Sequence, residues 1–258
     1  MHVGILTYQT GHLKTWQVMT RVRSKGFRVT LYAFPFVHRP PDPNAPPVTR
    51  FQDRPAQLID YDVPSFCEHH GVGYIEVDGW EDEHAHALGA ADDPDTPDVF
   101  LHCFAKIVPA SFLEGRRILN SHPGLLPQNR GVDAFKWSIL NKWPVGVTLH
   151  IIDAEIDRGL ILARQRVPVF TNDTLRNVAD RAYEYEVDLM GNFEHHLDNA
   201  KHEWGVDESN PLSRKRIPED EDARLADIFN HARTELVRVS SDPNAQPHPA
   251  DGLMDFRA

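Results

Sequence analysis

The stretch His2–Phe34, HVGILTYQTGHLKTWQVMTRVRSKGFRVTLYAF, decides the fold class. Val3, Ile5 and Leu6 make His2–Tyr8 read as a buried strand. Thr10 and Gly11 break it. Leu13–Ser24 then carries helical spacing, with Leu13, Trp16, Val18, Met19 and Val22 on one broad apolar face. Gly26 ends that helix, and Phe27–Phe34 is again rich in strand formers. Strand, turn, helix and strand in this order open an α/β fold with a Rossmann-like, mostly parallel sheet.

The alternation continues downstream. Apolar runs predict strands at Tyr74–Val77, Asp98–Phe104, Arg117–Asn120, Val145–Ile152 and Ile161–Val169, with helices at Val63–His70, Ile107–Leu113 and Val132–Leu140. The longest helical pattern runs from Thr174 to about Lys201, with Asp173 as its N-cap. Residues 35–55 are broken by Pro35, Pro40, Pro41, Pro43, Pro46, Pro47 and Pro55 and are expected to form a loop at the carboxyl edge of the sheet. After residue 205 the chain turns polar. It carries a basic Ser213–Arg216, an amphipathic stretch Ala223–Val237 and a proline-rich tail from Asp242. The expected division is a principal domain over 1–205 and a C-terminal helical or extended appendage and tail over 206–258.

The 258 residues are 41% hydrophobic and 25% charged, the balance of a globular chain large enough to bury a core. The net charge of −11 repels phosphate backbones, so a nucleic-acid partner is not expected. No run approaches the ~20 apolar residues of a membrane span, and the start of the chain lacks a basic, apolar leader. A cytoplasmic protein without a membrane partner is expected. Cys67 and Cys103 read as reduced thiols. No metal is expected: His69-His70, His84-x-His86 and His195-His196 lack the convergent spacing of ligands, and there is no HExxH.

The chemistry concentrates in Ile118–Gly131 (ILNSHPGLLPQNRG) and Gly146–Gly159 (GVTLHIIDAEIDRG). Asn120 and His122 stand two apart on a strand end, so both project to one side at the edge where parallel sheets bind ligands. Pro123 and Pro127 stiffen the following turn. Asp157 brings a carboxylate to the same edge. Passing an acyl group to an amine requires a placed neutral amine, donors for the oxyanion, and a route for protons. An Asn amide and a His can donate to an oxyanion. A carboxylate beside the His raises its basicity and relays protons, and no nucleophilic Ser or Cys is needed. The candidate catalytic set is Asn120, His122 and Asp157.

Asn120-Ser121-His122-Pro123-Gly124-Leu125-Leu126-Pro127, with Gly131 and Asp157-Arg158-Gly159, resembles the N-x-H-P-S-L-L-P…G and D-x-G signatures of the folate-dependent formyltransferases. That family includes glycinamide ribonucleotide transformylase, methionyl-tRNA formyltransferase and the sugar-nucleotide N-formyltransferases. Gly124 departs from the serine common there. The resemblance implies a formyltransferase fold, a catalytic domain over 1–205 and 10-formyltetrahydrofolate as formyl donor. It also implies a pterin site on Phe104, Lys106 and Val108 of the Phe104–Val108 segment, with Ile152 and Asp153 of the Ile152–Glu155 loop as the other wall.

For the acceptor, the run N-R-G…W-S…P-x-G-V-T-x-H (Asn129–Gly131, Trp137-Ser138, Pro144–His150) is similar to that of the sugar-nucleotide enzymes. It implies a nucleotide-linked amino sugar as substrate partner. Asn129 and Arg130 are candidate substrate contacts, or equally anchors of the turn. A homodimer is implied, with 174–237 as its expected interface. Against a purine substrate stands the single glycine in Tyr8–Lys14. Against tRNA stand the short segment after 205 and the charge. A methionyl-tRNA formyltransferase-like or other small-amine formyltransferase remains the alternative. A non-catalytic α/β nucleotide-binding module and a hydrolase using water are alternatives of other classes.

Overall fold

The computed structural model describes residues 1–36, 61–80, 95–155, 157–199 and 215–245. Most of the proline-rich stretch, the His84–His86 stretch, the 205/206 boundary and the end of the tail lie outside the described residues. The elements are β1 (His2–Tyr8), α1 (Leu13–Ser24), β2 (Arg28–Phe34), α2 (Val63–His70), β3 (Gly73–Glu76), β4 (Val99–His102), α3 (Ala110–Leu113) and β5 (Ile118–His122). They continue with α4 (Ala134–Leu140), β6 (Gly146–Ile152), β7 (Gly159–Arg166), α5 (Leu175–Gly191), α6 (Glu219–Ala223) and α7 (Leu225–Ser241).

One seven-stranded sheet runs in the order β3-β2-β1-β4-β5-β6-β7. The pairings from β3 to β5 are parallel, while β5–β6 and β6–β7 are antiparallel. The sheet is therefore α/β and mostly parallel, as the opening stretch predicts. β1 shows why it sits centrally. Val3 and Ile5 enter the core on one face with α1, α5 and α7, whereas Leu6 joins Tyr32, Phe34, Phe100 and Phe112 on the other. A strand buried on both faces needs this near-continuous apolar run.

Several boundaries move for identifiable reasons. Thr174, not Asp173, caps α5: its hydroxyl accepts from Asn177 N (3.2 Å) while Asn177 Oδ1 accepts from Thr174 N (2.9 Å). This reciprocal pair satisfies two otherwise orphaned donors. Asp173 instead accepts from both guanidinium nitrogens of Arg181, at 2.9 and 3.0 Å. α5 stops at Gly191, ten residues before Lys201, because the Lys25 ammonium donates to Gly191 O (2.6 Å) and Asn192 Oδ1 (2.8 Å). A cation there completes the helix's C-terminal carbonyls. The chain continues as 3₁₀ turns that bury Phe193.

In the segment expected at a subunit interface, one face of each long helix packs inside the chain. Val178, Ala182, Tyr183, Val187 and Met190 of α5, and Leu225, Phe229, Ala232 and Leu236 of α7, all lie in the one core. Ile217 joins them, so the C-terminal segment shares the core of the sheet. Among the described residues no helix is long and apolar enough to cross a membrane.

Candidate active site

The carboxyl ends of β4 and β5 and the opposing end of β6 open into a cleft of about 330 Å³. Asn120, His122, His150 and Asp157 form its floor, with Phe104–Val108 on one side and Ile152–Glu155 on the other. The structure thus brings together all three residues of the candidate catalytic set. It also brings Phe104, Lys106, Val108, Ile152 and Asp153 to the same cleft.

His122 is held at both ring nitrogens. Nδ1 faces Asp157 Oδ1 at 3.3 Å and Nε2 faces the Asn129 carbonyl at 2.8 Å. Both partners only accept, so the ring satisfies them best as an imidazolium. Burial opposes that charge, but the Asp157 carboxylate and the Asn129 carbonyl outweigh it and raise the pKa. Burial likewise pushes Asp157 up, and the charge of His122, its hydrogen bond and the Gly131 amide overcome it, bringing the carboxyl down to about 2. Asp157 Oδ2 accepts from Gly131 N at 3.0 Å.

Two backbone features make this possible. Asp157 sits at φ 47°, a left-handed conformation costing of order 1–3 kcal/mol, which aims its carboxylate back over the sheet. Gly124 explains its departure from serine. A Cβ there would lie 2.5 Å from Asn129 O and 2.9 Å from His122 Nε2, so only glycine lets that carbonyl reach the imidazole.

His150 and His102 were not among the predicted site residues. His150 Nδ1 faces the Arg158 carbonyl at 3.1 Å and so carries the proton. Nε2 is then a lone pair, and Asn120 Nδ2 donates to it at 3.2 Å. His102 Nε2 faces the Lys106 carbonyl at 2.8 Å and is protonated there. Burial lowers the pKa of each to about 4, with the His122 charge adding to the effect at His150. Three histidines in one cleft thus hold three different proton arrangements, set by which neighbour is a carbonyl or carboxylate. Alternation along Gly146–Ile152 puts His150 on the face of Thr148 and Ile152, a signal available in the sequence; its pairing with Asn120 was not.

The two residues expected as substrate contacts, or equally as anchors of the turn, are placed differently. Asn129 is 0% exposed, and its amide donates to Ala134 O (2.8 Å) and Ser138 Oγ (2.9 Å). It anchors the turn and places His122, and does not reach the cleft. Arg130 pairs with Glu155 Oε2 at 3.6 Å, tying the turn to the cleft wall. Sequence reasoning also passed over an adjoining pocket of about 250 Å³. Tyr8, His12, Lys14, Tyr183 and Glu186 line it, and it shares Lys14, Phe104, Ala105 and Pro123 with the cleft. Lys14 Nζ and Glu186 Oε2 pair across it at 2.8 Å.

Among the described residues of the cleft and the adjoining pocket, neither the cysteine nor the serine is set up as a nucleophile. Burial pushes the Cys103 thiol up to about 12, far from thiolate. Ser121 Oγ is turned toward Glu186 Oε2 at 3.5 Å. Among the described residues no group of three or more His, Cys, Asp or Glu could hold a metal ion.

Residues 62–192 match the model of a protein family described as formyl transferase. Over 89 residues the chain is 36% identical to dTDP-4-amino-4,6-dideoxyglucose formyltransferase of Mycobacterium tuberculosis (strain ATCC 25618 / H37Rv), covering 34% of this chain and 38% of that protein. Over 94 residues it is 31% identical to phosphoribosylglycinamide formyltransferase of Haemophilus influenzae, covering 35% of this chain and 44% of that one. The chain thus aligns with less than half the length of these curated relatives. The X-ray structure of a sugar N-formyltransferase from Shewanella sp FDAARGOS_354 superposes with a TM-score of 0.53 at 22% identity, covering 95% of this chain and 89% of that one.

Proposed function

Since this chain belongs to the formyl transferase family, we propose that it transfers a formyl group from 10-formyltetrahydrofolate to the amino group of a nucleotide-linked amino sugar. The observation that carries this reading is the cleft floor, where an imidazolium paired to a buried carboxylate stands beside a donor amide, with no activated Ser or Cys among the described lining residues. The Mycobacterium relative, named for an amino-sugar nucleotide, supports the choice of acceptor.

The donor fits the cleft between Phe104–Val108 and Ile152–Glu155. Its volume is of the size that encloses a flat heterocycle. Ile107, 74% exposed in a mostly apolar chain segment, offers a surface on which such a ring packs. When bound, the donor supplies an activated formyl carbon. The chain does the rest. The His122 charge and the Asn120 amide face the formyl oxygen and stabilise the negative charge that develops on it. Asp157 would take the one proton that the attacking amine loses, His122 would give the one proton that the leaving nitrogen needs, and transfer from Asp157 to His122 across their 3.3 Å pair would restore both groups. The neighbouring pocket holds the acceptor, with Lys14 and Glu186 as its polar lining. The catalytic roles of Asn120, His122 and Asp157 and the division at residue 205 are part of the same proposal, as is a cytoplasmic, homodimeric protein.

The experiment is a screen of amino-sugar nucleotides with 10-formyltetrahydrofolate, read by the mass gain of one formyl group. Formylation of at least one such nucleotide, and not of glycinamide ribonucleotide or methionyl-tRNA, is the expected result. Turnover of either of the latter alone would replace the acceptor. Absence of any turnover together with no heat on titrating a tetrahydrofolate analogue would replace the reaction.

A further inference from the structure

We infer that His102 is a positioning residue that clamps the Asn120 amide from the side opposite His150, an assignment that rests on the formyl-transfer reading of the same cleft. The argument begins with register. β4 and β5 are parallel, with Phe100 beside Ile118 and Leu101 beside Leu119. One further step along both strands sets His102 beside Asn120. β5 and β6 are antiparallel, with Asn120 opposite His150. His102, Asn120 and His150 therefore form one row across three adjacent strands, an amide between two imidazoles.

The protonation of each imidazole follows from its outer partner. Lys106 and Arg158 present carbonyl oxygens to His102 Nε2 and His150 Nδ1, so those nitrogens carry hydrogen. The inner nitrogens, His102 Nδ1 and His150 Nε2, are then both lone pairs. His102 Nδ1 is buried and has no hydrogen-bond partner among the described residues. Asn120 Nδ2 already gives one hydrogen to His150 Nε2 at 3.2 Å. Its second hydrogen is the donor next in the row to the His102 lone pair. Turning the amide over would set its carbonyl oxygen against two lone pairs. The two lone pairs thus fix which end of Asn120 is the donor and hold the plane of the amide, and because His102 Nδ1 takes no hydrogen bond, the second amide hydrogen stays available to the transition state. His102 stays neutral at ordinary pH because burial holds its pKa at about 4, which keeps the inner lone pair available.

Two variants separate this role from a merely structural one. His102→Asn keeps an acceptor near the position of Nδ1. His102→Gln keeps a group near Nε2, facing the Lys106 carbonyl, and removes the inner acceptor. With the amino-sugar nucleotide that the wild type formylates, His102→Gln is expected to lower kcat about tenfold with KM unchanged for both substrates. His102→Asn is expected to stay within about threefold of wild type. Equal losses in the two variants, or a rise in KM alone, would overturn the assignment.

A second measurement needs no turnover. In protein labelled with ¹⁵N-histidine, His102 should show the Nε2-protonated neutral form. Its Nδ1 resonance should move in Asn120→Ala while Nε2 does not. A proton on Nδ1, or an Nδ1 signal indifferent to Asn120, would sink the clamp. A wild type that formylates no amino-sugar nucleotide sinks the formyl-transfer reading instead, and the resonances still decide the row.

Discussion

Two buried ion pairs stand on either side of Ser121. Lys14 and Glu186 meet at 2.8 Å with side chains 12% and 7% exposed. His122 and Asp157 meet at 3.3 Å with side chains 4% and 18% exposed. The first joins α1 to α5 through a lysine ammonium. The second joins a strand end to a strained loop and carries an imidazole, which can lose its charge within the physiological range. Burial is comparable in the two. The difference is that one pair fastens two helices under the sheet, and the other keeps a proton that can be moved.

The sharpest way to break that comparison is His122→Asn. It should lower kcat roughly 10³–10⁴-fold with an unchanged far-UV spectrum. Retained turnover would place the chemistry elsewhere.

Next comes Asp157→Asn, which should cost roughly 10²–10³-fold in kcat and also shift the pH profile. The His122 pKa is raised above its ordinary 6.5. The stabilisation from its pairing is therefore complete below 6.5 and is lost as pH rises through the raised value. Asp157 is lowered from 3.8 to about 2, so its share is present above 3.8 and is lost as pH falls toward 2. Without the carboxylate, burial governs His122 and its pKa falls. The alkaline limb of kcat/KM should move to lower pH in Asp157→Asn, and a limb that stays put would mean that another group titrates there.

Lys14→Met tests the fastening pair. It strands a buried carboxylate and should lower the unfolding free energy by about 3–5 kcal/mol, read from the denaturant midpoint. Lys14→Met/Glu186→Leu should recover most of that loss, because two apolar side chains no longer leave a charge unpaired. If the double variant is as unstable as the single one, the pair is not what holds α1 to α5.

The same contrast shows how far the sequence was legible. Asn120 and His122 could be read because the N-x-H-P run resembles the family signature and because a strand's period of two puts them on one face. The apolar runs of β1, β2 and β5 were legible for the same reason. Lys14 could not be read, since its partner lies 172 residues away and only tertiary packing joins them. His102 escaped because its importance depends on the register of β4 against β5, which apolar patterning does not set to one residue. Asn129 reads as a substrate contact, or equally as a turn anchor, on the N-R-G resemblance; Gly124 allows the chain to fold inward there and bury it. The end of α5 was overextended because the stop is Lys25, a residue from the far side of α1.

Ser121 offers the smallest and finest test, because it touches both regions at once. It is buried between Asn120 and His122 in β5, yet its hydroxyl points to the other pair, reaching Glu186 Oε2 at 3.5 Å. That is the outer limit of a hydrogen bond, so its net contribution should be at the low end, about 0.5 kcal/mol. Ser121→Ala also leaves no cavity larger than one oxygen. The denaturant midpoint should fall only slightly and kcat should stay within about twofold, since neither His122 nor Asn120 loses a partner. A large loss of kcat with an unchanged midpoint would mean that the two pairs are coupled through this hydroxyl, and that the fastening pair also sets the proton on His122.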